Sequence, residues 1–471
     1  MVLINLLINT TLVGITLCYY ILKIINIRLS IFKYLIPGVF IGSLIEFFLN
    51  LCEYIPNGIP RNPIGTIIIA ISQLLLLISL IFYVVSILYE HEDNIELKGP
   101  TLMEGKKGDI YLGKIIKGFK RSFKFFLSEQ DLEKHMFICG ATGTGKSNFV
   151  QNFLVSFKKN YSTPFLLVEF KREYNFLKHL INDLFILRPG ENFSINIFNP
   201  NGIHPEIHAE RIFDIMKSGQ FLDDSAEFSP QMQKVMIDIL TDLCKNRKLQ
   251  TWEGFFQQCK VYAKEHQREI PMLNQTIISI KNRIRRFSIG PLKTIFCSKN
   301  NMNIHSIFQK NIIIDLSSII EKGGEKEDAL FFLNMILKYL WDRNLTNGAK
   351  KKKIKHLTII EDAQYFIPKD LVKQSRISTY LEDIALLQRG TGECLISIAT
   401  RPHVSEEILA NCGVLVIFKN HMQKELQCQL LNLNDENEDY ISMIEMGRCI
   451  IRVNSIKRPF LIEIPLISRY L

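Results

Sequence analysis

Apolar and polar positions follow three different rhythms along this chain. Residues 1–22 and 62–89 carry no charged side chain, and each is long enough for the about 20 apolar residues that span a hydrocarbon core. Residues 31–51 make a weaker third candidate, in which Lys33 and Glu46 bracket only twelve uncharged residues and Pro37 falls among them. Lys23, Arg28 and Lys33 cluster between the first stretch and the middle one, and Arg61 is the one cation between the middle stretch and the last. The positive-inside rule then predicts three spans, with the amino terminus outside and everything after Tyr89 inside. Residues 91–108 read as a linker, and the short alternating runs from Tyr111 to Leu127 read as a β-hairpin. Beyond it the rhythm changes to short apolar runs ending in polar residues, such as Met136–Cys139, Phe165–Val168, Ile312–Ile314 and Leu357–Ile360. These predict buried strands. From His204 to Phe296 the spacing becomes helical: Ile212, Ile215 and Met216 recur on one face, as do Met232, Val235, Met236 and Ile239. Ser229-Pro230 reads as a helix start, and four or five helices are expected there.

Composition sharpens this picture. Hydrophobic residues make up 47% of the chain and charged residues 22%, which excludes a disordered or low-complexity protein. The first hundred residues hold five Lys and Arg against six Asp and Glu, so the totals of 57 and 47 leave 52 against 41 in the rest. An apolar head on a basic body suits nucleic acid or an anionic surface as partner. The ten cysteines form no CxxC pair and no Cys/His cluster, which points to reduced, buried thiols.

The strongest chemical pattern is Gly140-Ala141-Thr142-Gly143-Thr144-Gly145-Lys146-Ser147, a G-x-x-x-x-G-K-S run between an apolar strand and a helical segment. Glycines let successive backbone N–H groups turn inward around phosphates, and the following helix aims its N-terminus at them. Lys146 is expected to reach the β- and γ-phosphates of ATP, and the Ser147 hydroxyl to ligate Mg²⁺. The matching carboxylates are sought at the end of another buried strand. Glu361 and Asp362 follow Leu357–Ile360, Glu361 to support the metal and Asp362 to orient or deprotonate the attacking water.

In order along the chain, several landmarks resemble the HerA/FtsK superfamily of P-loop ATPases, the DNA-pumping branch that includes type IV secretion coupling proteins. They are His135 with the glycine loop, Phe165–Tyr174, Asn196–Pro200, Asn311–Ser317, Ile396–Pro402, Glu445–Arg448 and Arg458-Pro459. The resemblance covers nearly all of residues 108–471. It implies an α/β fold with a RecA-like core at 109–203 and 297–471, a helical insertion at 204–296, and a preceding transmembrane region at 1–90. It also implies a homo-hexamer, DNA as substrate, and Arg389 acting on the γ-phosphate of a neighbouring subunit. Three features depart from the family pattern. Glu361-Asp362 stands where Asp-Glu or Glu-Glu is usual, and Thr400 takes the place of a glutamine in the strand that senses nucleotide. Membrane segments replace the amino-terminal barrel of the soluble relatives.

The basic runs Lys281–Arg286 and Lys350–Lys353 with Lys355 could line a DNA channel or be solvated surface. Together these features predict a multi-pass protein of the cell membrane with its ATPase domain in the cytoplasm, moving DNA, in the form of a conjugation-type coupling protein or a HerA-like translocase joined to transfer or secretion machinery. A motor for protein secretion and a weakly catalytic signalling or defence NTPase are the alternatives.

Overall fold

The computed structural model describes residues 97, 99–117, 120–218, 228–296, 304–348, 354–367, 380–387, 389–434 and 438–467. Nearly all of them belong to one compact unit, Leu97–Ile116 with Lys120–Leu471. Its framework is an eleven-stranded sheet in the order β2-β1-β11-β10-β9-β3-β8-β7-β4-β6-β5. The strands are β1 (Ile110–Lys117), β2 (Lys120–Leu127), β3 (His135–Cys139), β4 (Phe165–Glu169), β5 (Leu184–Leu187), β6 (Asn311–Asp315), β7 (His356–Ile360), β8 (Glu393–Ala399), β9 (Cys412–Phe418), β10 (Arg448–Val453) and β11 (Phe460–Glu463).

From β9 to β5 every neighbouring pair is parallel. A parallel sheet is covered on both faces, so its strands read as continuous apolar runs. In β3, β4, β6, β7, β8 and β9 every residue is buried. Alternate side chains enter two separate cores: Met136 and Ile138 lie on one face, Phe137 and Cys139 on the other. The pairs β9–β10, β10–β11 and β11–β1 are antiparallel. The hairpin expected at Tyr111–Leu127 forms the edge of the main sheet, because β1 pairs with β11 through Lys114 and Glu463.

The longer helices are α1 (Lys146–Asn160), α2 (Pro205–Ser218), α3 (Pro230–Lys245), α4 (Trp252–His266), α5 (Leu273–Arg283), α6 (Lys326–Asn347), α7 (Tyr380–Leu387) and α8 (Lys424–Leu431). α3 starts where Ser229 caps it, its hydroxyl accepting the Met232 N–H at 3.2 Å, with Pro230 in the first turn. α6 carries a buried ion cluster. Lys338 lies 2.9 Å from Asp342 and bonds His208 of α2, while Arg211 of α2 pairs with the other Asp342 oxygen. This ties α2 to the core helix with charges that satisfy one another.

The expected multi-pass membrane localisation is corrected. Among the described residues no helix is long and apolar enough to cross a membrane. The longest, α6, has 22 residues, but Lys326, Glu327, Asp328, Lys338, Asp342 and Arg343 interrupt it. The stretches 1–22, 31–51 and 62–89 read as spans lie outside the described residues, as does the basic run Lys350–Lys353. Within the stretch read as a linker, Leu102–Gly105 forms one helical turn closed by a reciprocal Thr101–Glu104 capping box.

Candidate functional site

Five parallel strands end on one edge of the sheet, and the residues that follow them make the site. β3 runs into Gly140–Ser147, β4 into Phe170–Tyr174, β6 ends at Asp315, β7 runs into Glu361 and Asp362, and β8 into Thr400. The carboxyl ends of parallel strands are where open α/β sheets bind ligands.

The glycine loop is anchored before it turns. The Gly140 N–H donates to the Ala399 carbonyl at 3.3 Å, and the Ala141 N–H to the Lys419 carbonyl at 2.9 Å. A Cβ on Gly140 would lie 2.5 Å from Cβ of Phe418, so only glycine lets β3 leave the sheet here. Gly145, at φ +115°, reverses the chain into α1 and caps it without any side-chain bond. The first N–H groups of α1 are thus left to a ligand, and the helix dipole favours an anion. Thr144 closes the loop internally, its hydroxyl donating to the Ala141 carbonyl at 2.8 Å. Lys146 Nζ donates to the carbonyls of Gly140 and Ala141 at 2.7 and 2.9 Å. Burial pulls the Lys146 ammonium below its usual range, opposed chiefly by Glu361 and also by Asp362. Ser147 is the second residue of α1 and half-buried.

Across the strand ends stand the two acids. The Glu361 N–H continues the strand pairing onto the Val168 carbonyl at 3.0 Å. Its carboxylate is buried and accepts the hydroxyl of Tyr174, which is itself fully buried. Burial pushes Glu361 up to about 7; the Tyr174 hydrogen bond opposes the shift, and Asp362 and Glu173 add to it. Asp362 adopts a left-handed backbone at φ +51° and is also buried. Its Oδ2 pairs with Lys171 at 3.0 Å, and its Oδ1 accepts from the Gln364 amide at 3.2 Å. Glu169 ends β4 beside them, taking the Glu173 N–H at 2.7 Å and leaving Oε1 buried without a partner. Burial raises Glu169 to about 7 as well. At the end of β6, Asp315 is held by Arg172 and Arg188 at 3.0 and 3.1 Å.

These side chains fit a nucleoside triphosphate with Mg²⁺. The uncapped N–H groups of α1 and the Lys146 ammonium suit phosphates, whereas the Ser147 hydroxyl and Glu361 are oxygen donors that Mg²⁺ favours. Gly140, Ala141, Thr142, Gly143, Thr144, Gly145, Lys146 and Ser147 therefore meet Glu361 and Asp362 at one edge. Arg389 does not join them. It opens the 3-10 turn Arg389–Thr391 just before β8, at the opposite edge of the sheet. In the Lys281–Arg286 run, Arg283 packs over the Phe228 ring at 5.6 Å and Arg286 pairs with Asp328 at 3.3 Å, so two of its cations serve packing. Sequence reasoning used Tyr174 only as a landmark and passed over Lys171 and Gln364. Tyr174 and Lys171 reach the acids because β4 lies beside β7, whereas Gln364 is two residues from Asp362 and touches it locally.

Residues 110–340 match the family model described as Helicase HerA, central domain. The chain is 22% identical over 372 residues to the DNA import protein CedB of Sulfolobus acidocaldarius, across 76% of this chain and 56% of that protein. It thus spans little more than half the length of that relative. Among solved structures, VirB4 of Thermoanaerobacter pseudethanolicus superposes with a TM-score of 0.58 at 14% identity, covering 76% of this chain and 96% of that one. The plasmid coupling protein TrwB in complex with ADP and Mg²⁺ gives a TM-score of 0.54 at 12% identity, covering 79% and 97%. At such identities the superpositions establish the RecA-like fold.

Proposed function

We propose that this chain, whose residues 110–340 match the HerA central-domain model, is a HerA/FtsK-type P-loop ATPase that couples ATP hydrolysis to the movement of DNA. The observation that carries the proposal is the convergence of Lys146 with Glu361 and Asp362 at the carboxyl ends of β3 and β7. The DNA import protein and the plasmid coupling protein among its likenesses favour DNA as the cargo. A coupling role in DNA transfer is the form we favour, with secretion or transfer machinery as partner.

In this reading the loop N–H groups and Lys146 bind the phosphates, and Ser147 and Glu361 hold the metal. Bound there, Mg²⁺ and ATP supply the neutralising charge and the γ-phosphoryl group. Asp362 holds the attacking water and accepts its proton. Arg389, at the far edge of its own sheet, serves the site of a neighbouring copy in a homo-hexamer, where its guanidinium stabilises charge on the transferring group.

A second reading, a nucleotide-binding switch with slow turnover, is favoured by one observation. Both acids are already engaged, Glu361 by Tyr174 and Asp362 by Lys171. ATP turnover by the full chain, measured alone and with single- or double-stranded DNA, separates the two. Stimulation by either DNA supports the motor. ATP binding with no turnover under any condition supports the switch.

A further inference from the structure

Adjacent parallel strands β7 and β8 pair in register, Ile360 beside Ser397, so the turns that leave them start side by side. One side chain bridges those turns. Gln364 Nε2 donates to Asp362 Oδ1 at 3.2 Å, and Gln364 Oε1 accepts the Thr400 N–H at 3.2 Å. The other side of Thr400 is held too. Asn420, two residues past β9, donates from Nδ2 to the Thr400 carbonyl at 3.1 Å and to Cys139 Sγ at 3.7 Å. Cys139 is the last residue of β3, next to Gly140. A continuous polar chain thus runs from Asp362 through Gln364, Thr400 and Asn420 to the base of the glycine loop. Its orientation is settled by chemistry: a carboxylate only accepts and a backbone N–H only donates. The Gln364 amide must therefore present its nitrogen to Asp362 and its oxygen to Thr400.

We propose that Gln364 is a positioning residue that fixes the Asp362 carboxylate and ties it to the turn ending β8. Asp362 has two oxygens. Lys171, whose side chain is 55% exposed, holds Oδ2 from the solvent side. Gln364 holds Oδ1 from within the protein, so it sets the direction in which the carboxylate faces the water. The bridge also gives Thr400, and the exposed Arg401 after it, a direct link to the state of Asp362. Any change in the hydrogen bonding of Asp362 pulls on that turn. This inference rests on Asp362 acting on the attacking water, as proposed above.

The test is a double-mutant cycle on ATP turnover by the full chain, with binding of a fluorescent ATP analogue measured in parallel. Gln364→Ala should lower kcat about tenfold, the worth of one hydrogen bond to a charged group, while analogue affinity stays within about twofold. Gln364→Glu keeps an acceptor for Thr400 but sets a second carboxylate against Asp362, and should fall at least as far. In an Asp362→Asn background, Gln364→Ala should have no further effect, because the group it positions has lost its function. A merely structural role predicts the opposite, with the two losses multiplying, and that result would overturn the inference. So would wild-type turnover in Gln364→Ala. If the unmodified chain binds the analogue but never hydrolyses ATP, the reading of Asp362 fails and this inference falls with it.

Discussion

Tyr174→Phe tests the electrostatics of the site by removing one oxygen. In the structure the Tyr174 hydroxyl donates to Glu361 Oε1, and both residues are buried. Burial already lifts Glu361 to about 7, and the tyrosine bond restrains that rise by favouring the ionised form. Hydrogen bonds to charged groups contribute about 1.5–3 kcal/mol, and one pKa unit corresponds to about 1.4 kcal/mol. Losing the bond should therefore raise Glu361 by about one to two further units. Metal binding needs the ionised carboxylate, so at pH 7.5 the competent fraction should drop from roughly three-quarters to below about one-quarter. The assay is the pH dependence of kcat/KM for ATP, which reports groups in the free enzyme. The wild type should lose activity as pH falls through about 7. In Tyr174→Phe the same limb should move alkaline by about one unit or more, with activity recovered near pH 9. A limb that stays in place, or moves to lower pH, would refute the assignment of Tyr174 as the group that keeps Glu361 ionised.

Other substitutions probe neighbouring claims. Lys146→Ala should cut turnover at least about a hundredfold, since it removes the loop's one side-chain cation; wild-type rates would show the loop is not used for phosphate. Asp362→Asn should keep ATP binding and slow hydrolysis by about a hundred- to ten-thousand-fold, whereas Asp362→Glu should be faster than wild type. A slower Asp362→Glu beside an unaffected Asp362→Asn would transfer the chemistry to Glu361. Lys338 bears on stability. It is fully buried and lowered to about 8 from an ordinary 10.5. Between those values the unfolded chain binds more protons than the folded one, so stability should rise with pH across that window. Relative to Lys338→Met, the wild type should gain on the order of 2 kcal/mol between pH 8 and 10 in denaturant melts. A flat difference would mean that Lys338 titrates normally.

How much could be read in advance varies from residue to residue, for physical reasons. Gly140–Ser147 is legible because phosphate binding needs several residues in one short run, with glycine required where Phe418 crowds the backbone and where φ is positive. The central strands are legible as apolar runs because a parallel sheet is covered on both faces. Ile212, Ile215 and Met216 announce a helix by their spacing and sit buried on α2. What escaped is pairing at a distance. Tyr174 and Glu361 are 187 positions apart and meet because β4 lies beside β7. Gln364 meets Thr400 because β7 lies beside β8. No periodicity encodes strand order, so neither contact leaves a local trace. The β1–β2 hairpin was legible, but its pairing with β11 was not, since β11 comes more than three hundred residues later.

We propose that hydrolysis at Lys146, Glu361 and Asp362 moves DNA. The most direct measurement is displacement of a bound roadblock, such as streptavidin on biotinylated DNA, by the full chain. Displacement should require ATP and Mg²⁺, fail with a non-hydrolysable analogue, and be abolished in both Lys146→Ala and Asp362→Asn. Efficient ATP hydrolysis with no displacement from either single- or double-stranded DNA would contradict the proposal.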